Sequence, residues 1–435
     1  MKNQLLLFGL ILFLLSGKSQ DTIYTRTIVD SLCSINMFGR GYVKKGDVKA
    51  ANFIKKEFEK NGTTSFSDGY LQPVSFSVNT FPSSMEVIIN DSILKPFYDY
   101  RISPSSSGCK GTFQIVEFDA AKLSKTKKIN QFSEKNDLSN SFVYIDLTKL
   151  SEKKQKSKSF SKISDVIYYL GHENVFNAKG VIIVSDKLDA TGIWACNLPI
   201  NSTVIKIQKS SVKNPPKTIT VNIENEFVQK YKSNNVIAFI EGNIEPDTFI
   251  VFTAHYDHIG SMGANTFFPG ANDNASGIAT ILDLAKYYSS PENKPYYSIA
   301  FMAFTGEEAG ILGSYYYTNH PLFPLKNIKL LFNLDMVGTG ENGITVVNGT
   351  VYEKAYNHLV SINNQEKYLT KVVSRGEAAN SDHHYFHKSG VPSVFIYGMG
   401  KSGPYHHPED NSANLTFKGY IPIFKLLTNF VKTYR

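Results

Sequence analysis

The run Phe-Ile-Val-Phe-Thr-Ala-His-Tyr-Asp-His occupies residues 249–258. Its first half, 249–253, is a continuous apolar run, which is typical of a strand buried on both faces of a sheet. Its second half places His255 and Asp257 just beyond that strand. Because sites in open α/β sheets form at the carboxyl ends of the strands, this order predicts a polar site at one edge of a sheet.

The chain from about residue 234 onward alternates between apolar runs of strand length and amphipathic segments of helix length. Such alternation predicts an α/β fold, with a doubly wound, mostly parallel sheet and helices on both faces. The predicted strands are 235–240, 249–253, 298–304, 330–334 and 393–396, and the predicted helices are 275–288, 310–318, 352–362, 382–388 and 421–434.

Residues 66–230 have a different pattern from the rest of the chain. They contain short β-like runs at 84–89, 112–118, 142–147, 180–184 and 218–223, without a cluster of His, Asp and Glu. We therefore expect four parts: a signal peptide at 1–20, an N-terminal helical part at 21–65 that belongs with the α/β core, an inserted β-rich domain at 66–230, and the α/β core itself at 231–435.

The N-terminus predicts export. Lys2 precedes an apolar run at 5–15, which is followed by Ser-Gly-Lys-Ser. The run is shorter than the roughly 20 residues of a spanning helix, and no cysteine that could carry a lipid anchor lies near the cleavage region. We expect a secreted or periplasmic protein that is not stably inserted in a membrane.

Composition narrows the function further. The chain has 435 residues, 42% of them hydrophobic, with a formal net charge of +8. Part of the positive charge falls in the Lys/Ser-rich stretch 153–162, which we interpret as a solvated surface because no nucleic-acid-binding signature accompanies it. The cysteines are Cys33, Cys109 and Cys196, without a CxxC pair; either Cys109 and Cys196 form a disulfide or all three are free thiols.

Further imidazole and carboxylate groups follow other predicted strands or open a helix. Together with His255 they give six candidate groups on five segments, which are enough for two metal ions and a general base. Hard ligands without cysteine are typical of a catalytic zinc site. The additional residues are Asp273, Glu307, Glu308, Asp335 and His406.

These motifs, taken in order, resemble the co-catalytic zinc aminopeptidases of the bacterial leucyl aminopeptidase and glutamate carboxypeptidase superfamily. The matching segments are 254–258, 269–277, 306–314, 333–338, 381–386 and 405–411. The resemblance implies two zinc ions per chain and peptide substrates. It is looser for residues 66–230, which look like an inserted protease-associated domain.

The resemblance also implies roles for single residues. In the family pattern Asp273 bridges the zinc ions, Glu307 is the general base and acid, Asp257 orients His255, and the Asp273–Asn274 peptide is strained and can be cis. The resemblance further implies that one zinc ion is bound by each of four other residues: His255, Glu308, Asp335 and His406.

One position departs from the family pattern. Several relatives carry an oxyanion-stabilising tyrosine shortly before the Ser-Asp-His motif, but residues 376–380 contain none. This leaves zinc alone, Asn380 or Tyr405 for that task.

The function expected from the sequence is an exported zinc aminopeptidase. Three alternatives remain open: a carboxypeptidase, for which Arg375 is a candidate carboxylate-binding residue, a glutaminyl cyclase with one zinc ion, and a non-catalytic binding protein. The sequence does not give the oligomeric state.

Overall fold

The computed structural model describes residues 22–66, 69–151, 158–193, 195, 198–212, 214–401 and 403–435. The predicted signal peptide and Cys196 lie outside the described residues, while Cys33 and Cys109 are free thiols. Among the described helices, none has the length and apolar character needed to cross a membrane.

The described residues contain two eight-stranded sheets and a small hairpin. The first sheet has a parallel centre and antiparallel pairings nearer both edges, so it is mixed. Its strands, in spatial order, are Leu71–Thr80, Glu226–Ile240, Tyr297–Phe304, Glu245–His255, Ile328–Leu334, Ser393–Gly398, Ile344–Val347 and Val372–Ser374.

Helices cover both faces of the first sheet, as the α/β pattern predicted. The strand Glu245–His255 shows why: Ile250 and Phe252 belong to the apolar core on one face, while Phe249 and Val251 belong to the core on the other. The helices packed with this sheet are Thr22–Leu32, Gly46–Lys60, Ser276–Ser289, Leu312–Asn319, Glu353–Glu366, His383–Lys388 and Tyr420–Thr433.

The second sheet is built from residues between 85 and 223. Its strands, in spatial order, are Ser92–Ile93, Met85–Ile89, Thr218–Ile223, Cys109–Glu117, Ser141–Asp146, Gly180–Ser185, Thr203–Gln208 and Tyr100–Ile102. It is not purely β: the helices Thr126–Lys135 and Lys158–Leu170 bury Ile129 and Ile163 in the core on one of its faces.

The second sheet begins later and ends earlier in the sequence than the predicted insertion. The predicted insertion spans residues 66–230, but two strands at its ends, Leu71–Thr80 and Glu226–Ile240, pair with each other inside the first sheet. The chain therefore enters and leaves the second unit through neighbouring strands. A mixed apolar cluster that includes Phe97, Ile193 and Phe268 packs the two units together.

Candidate metal centre

The candidate ligands meet at the carboxyl edge of the first sheet. His255 ends the strand Glu245–His255, and Asp335 directly follows Ile328–Leu334. Glu307 and Glu308 lie just beyond Tyr297–Phe304, which is parallel to and paired with Glu245–His255. Three adjacent parallel strands thus deliver their polar side chains to one place.

The structure forms two groups of possible metal ligands that share Asp273. One consists of His255, Asp273 and Asp335, and the other of His258, Asp273, Glu308 and His406. All five sequence-predicted ligands are therefore brought together, and Asp273 is the residue common to both groups. His258, which was not among the predicted ligands, joins the second group.

Ring hydrogen bonds set the tautomers of two candidate ligands. The Nδ1 atom of His406 donates to the carbonyl oxygen of Thr191 at 2.6 Å, and Nδ1 of His255 donates to the carbonyl oxygen of Asp257 at 3.1 Å. When each ring is neutral, its Nε2 therefore carries the lone pair that a metal ion would bind. Thr191 belongs to the second unit, so that unit holds one of the candidate ligands.

These Nε2 atoms face carboxylate oxygens. His406 Nε2 lies 3.0 Å from Asp273 Oδ2 and 3.1 Å from Glu308 Oε2, and His255 Nε2 lies 3.3 Å from both Asp273 Oδ1 and Asp335 Oδ1. Although His406 Nε2 and Asp273 Oδ2 are buried, neither has a hydrogen-bond partner. Two buried acceptor atoms that face each other in this way fit a shared cation.

Charge supports the same fit. Asp273, Glu307, Glu308 and Asp335 are four carboxylates in a largely buried cluster, and buried charge of one sign needs compensation. Two divalent cations would balance them. Burial opposes charge on His255, yet the carboxylates of Asp335 and Glu307 outweigh that effect and hold its pKa well above the usual value.

Glu307 differs from the other acids in the cluster. Its side chain is 14% exposed and lines a cavity beside the site. Burial, followed by the nearby charges of Glu308 and Asp335, raises its pKa well above the usual value. No described side chain donates a hydrogen bond to its carboxylate in the structure, so it is placed to exchange a proton with a group in the cavity.

Asp257 makes a different contact from the one expected. Its carboxylate is 4.0 Å from His255 Nδ1, and the backbone carbonyl makes the hydrogen bond to that ring instead. The carboxylate accepts hydrogen bonds from the backbone N–H groups of Glu307 and Glu308, at 3.1 and 3.3 Å, and from the Tyr42 hydroxyl at 2.7 Å. Asp257 therefore holds the turn that carries both glutamates.

Other buried polar groups support the candidate ligands. His258 Nδ1 donates to Glu308 Oε1 at 2.7 Å, which leaves Oε2 facing His406. The Ser381 hydroxyl donates to Asp335 Oδ2 at 2.8 Å, and this serine lies in a segment that the family resemblance had marked. Partners of this kind fix ligand orientation.

The loop that carries Asp273 is held from both sides. Asp410 accepts hydrogen bonds from the backbone N–H groups of Asn272 and Asp273, at 2.9 and 3.1 Å. The Asp273–Asn274 peptide is cis, as the resemblance predicted. Gly270 has φ +59°, and a Cβ atom there would lie 2.2 Å from the Asp273 carbonyl oxygen, so only glycine fits.

Arg40 lies beneath this loop and is fully buried. Its guanidinium donates to the carbonyl oxygens of Tyr256, Pro269 and Gly270, at 2.8, 2.5 and 2.7 Å. It thus ties the segment after His255 to the loop before Asp273. No local pattern in the sequence predicted this role for Arg40.

The two oxyanion candidates lie in different surroundings. Asn380 lines the cavity together with Glu307, Glu308 and His406. The Tyr405 ring stacks on His406 with centroids 3.7 Å apart and is half exposed. Arg375, the carboxylate-binding candidate for a carboxypeptidase, is exposed and is not among the residues that line the cavity.

A mixed α/β sheet that gathers imidazoles and carboxylates at its carboxyl edge is the architecture of a metal-dependent hydrolase. Residues 235–431 match the model of peptidase family M28. The match covers 197 of the chain's 435 residues.

Two curated relatives are partly similar to the chain. It is 31% identical to aminopeptidase YwaD of Bacillus subtilis over 267 aligned residues. The aligned region covers 58% of this chain and 56% of the relative. It is 30% identical over 211 residues to a probable leucine aminopeptidase of Arthroderma otae, which covers 46% of this chain and 57% of the relative. The match thus spans little more than half of each relative.

Solved structures extend the likeness in fold to almost the whole chain. A zinc aminopeptidase from Bacillus subtilis matches with TM-score 0.66 and 20% identity, covering 94% of both chains. A peptidase M28 precursor from Shewanella amazonensis matches with TM-score 0.70 and 18% identity, covering 95% of this chain and 93% of the other. At this identity the likeness concerns the fold alone.

Proposed function

We propose that this protein is an exported, two-zinc aminopeptidase that removes N-terminal residues from peptides. The observation that carries the proposal is the pair of ligand groups that share Asp273, with Glu307 beside them at the cavity wall. The match of residues 235–431 to the M28 family model and the aminopeptidase names of the relatives support the same activity. Export rests on the sequence of residues 1–20.

The residues fit a division into ligands and a base. His255 and Asp335 would hold one zinc ion, Glu308 and His406 the other, and Asp273 both. When bound, zinc polarises a carbonyl and makes a water molecule more acidic. No other cofactor is needed for hydrolysis.

Glu307 would move the proton. Its carboxylate accepts a proton from the attacking water and donates it to the nitrogen of the leaving amine. The hydrogen bonds from the Glu307 and Glu308 amides to Asp257 keep the turn fixed, so the carboxylate stays directed at the cavity. The carboxylate oxygens at this end of the cavity offer hydrogen-bond acceptors to the substrate's α-amine.

The Glu307→Gln variant tests this assignment. It keeps the size of the side chain but cannot accept the proton, and general acid–base catalysis contributes about 10²–10⁴ in rate. We expect kcat for leucyl-p-nitroanilide to fall by about that factor while the zinc content remains that of the wild type. Glu366→Gln, on an exposed helix position, is the control. Full activity in zinc-loaded Glu307→Gln protein would refute the role of Glu307.

A carboxypeptidase is the alternative with a specific observation in its favour, because a buried arginine, Arg101, lines the cavity. Two kinds of peptide distinguish the two activities. The first kind has a free N-terminal amine and an amidated C-terminus, and the second has an acetylated N-terminus and a free C-terminal carboxylate. The proposal predicts cleavage of the first kind and not of the second. The opposite preference would assign a carboxypeptidase.

A further inference from the structure

The cavity beside the candidate metal centre is shared by the two structural units. It has a volume of about 540 Å³, which falls in the range that holds a small ligand. Glu307, Glu308 and His406 line the end that belongs to the metal centre. Most of the remaining wall comes from the second unit, including Arg101 and Lys206.

Arg101 is a buried cation without a counter-ion in this wall. It is 8% exposed, and its Nε atom is buried without a hydrogen-bond partner. The guanidinium makes one long hydrogen bond of 3.4 Å, to the carbonyl of Tyr100, and no described carboxylate lies within 4.0 Å of it. Burial lowers its pKa to about 10, so it stays charged at neutral pH.

An isolated buried charge is costly unless something pairs with it. The neighbouring cation is already paired: Lys206, directly opposite Arg101 in the sheet, lies 2.5 Å from the Asp189 carboxylate. Arg101 thus has donors and a positive charge to spare, whereas the charge of Lys206 is already balanced by Asp189. The planar guanidinium suits a carboxylate, which it can bind with two parallel hydrogen bonds.

The surroundings hold Arg101 in place. Its guanidinium carbon lies 5.3 Å from the centre of the Phe97 ring, and that ring packs edge-on against Phe268 at 4.7 Å. Phe268 directly precedes the Pro269–Asp273 loop. The arginine of one unit is therefore anchored to the segment of the other unit that carries the shared candidate ligand.

We infer that Arg101 is a specificity-determining residue that binds a carboxylate group of the peptide substrate. The inference rests on the proposed function, in which the metal centre holds the opposite, N-terminal end of the peptide. A short peptide offers this carboxylate at its C-terminus, and an acidic residue beyond the cleaved bond offers it on a side chain. Either source makes the enzyme prefer anionic substrates.

Two pairs of peptides distinguish the sources. Leu-Gly-Gly is compared with Leu-Gly-Gly-amide, and Leu-Glu-Gly-amide with Leu-Gln-Gly-amide, by kcat/KM at fixed ionic strength. Because a hydrogen bond to a charged group contributes about 1.5–3 kcal/mol, we expect the charged member of at least one pair to be favoured about 10- to 150-fold. A wild-type ratio near one in both pairs would overturn the inference.

The Arg101→Gln variant tests the residue itself. It removes the charge and keeps a polar side chain, and we expect the wild-type preference to fall to a ratio near one. Arg375→Gln is the matched control, because that arginine is exposed and lies outside the cavity lining, and it should keep the wild-type ratio. Persistence of the preference in Arg101→Gln would overturn the inference. Arg101→Met, which preserves more of the apolar stem, repeats the test if Arg101→Gln fails to fold.

A binding measurement separates this inference from the proposed function. Calorimetric titration of the zinc-free wild-type protein with each peptide requires no turnover. If the wild-type protein binds the charged peptide more tightly and Arg101→Gln loses this preference, the inference is supported. This holds even if no peptide is cleaved, and then only the proposed function fails. Equal binding of all four peptides by both proteins counts against Arg101 whether or not the protein is a peptidase.

Discussion

Replacing Arg40 by lysine tests how the metal centre is held together. The guanidinium donates to five backbone carbonyl oxygens at distances from 2.5 to 3.3 Å. Lysine has three N–H donors on one atom, so at least two buried carbonyls lose their partner. Each unsatisfied buried group costs about 1–3 kcal/mol, which gives a loss of about 2–6 kcal/mol in the free energy of unfolding.

That loss is large beside the total stability of about 5–15 kcal/mol that is typical of a folded protein. Urea denaturation of zinc-free wild-type and Arg40→Lys proteins measures it directly. The control is Arg26→Lys: Arg26 is partly exposed and donates to two carbonyls, at 2.8 and 3.3 Å, so the control should lose less. A change below about 1 kcal/mol in Arg40→Lys would show that the carbonyls find other partners and would refute the reasoning.

Three further substitutions test neighbouring parts of the account. Ser381→Ala removes the hydrogen bond to the Asp335 carboxylate and should weaken zinc affinity about 10- to 100-fold, as measured by competition with a chelator. Unchanged affinity would show that this hydrogen bond does not support the ligand. Asp257→Asn replaces one of the two acceptor oxygens by an NH₂ donor, so either the Glu307 N–H or the Glu308 N–H with the Tyr42 hydroxyl loses its acceptor. We expect kcat to fall by at least tenfold while KM changes less; a change in KM alone would contradict that role. Because burial raises the pKa of Asp47 from 3.8 to about 6, the folded state binds a proton more tightly than the unfolded state. Wild-type stability relative to Asp47→Asn should therefore fall as pH rises from about 4 to 6, and a difference independent of pH would refute this.

The sequence predicted the centre of the fold because strands buried on both faces leave a clear apolar signature. All five strands predicted after residue 234 form, and the ends of Tyr297–Phe304 and Ile328–Leu334 differ from prediction by at most two residues. The edge strands were missed, among them Val372–Ser374, which has three residues, none of them fully buried. A short edge strand is decided by its partner rather than by its own sequence.

The domain ends were harder to place for a related reason. Leu71–Thr80 is a strand of the first sheet, but its partner Glu226–Ile240 lies about 150 residues later in the sequence. Nothing local separates it from the strands of the second unit. The helical content of that unit was also underestimated, since the helix Lys158–Leu170 begins in the Lys/Ser-rich stretch.

The candidate ligands could be found from sequence because each follows a strand or opens a helix within a recognisable motif. Their partners could not, because backbone atoms carry no sequence signal. The carbonyl oxygen of Thr191 holds His406 across the junction of the two units, and the carbonyl of Asp257, rather than its carboxylate, holds His255. Such contacts depend on how distant segments meet.

The zinc content of the purified protein tests the central claim most directly. Metal-free protein is dialysed against excess zinc, freed of loosely bound metal and analysed for zinc per chain by mass spectrometry. The two ligand groups that share Asp273 predict two zinc ions per chain. A value of one would contradict the two-metal account and favour a single-zinc enzyme of the same fold.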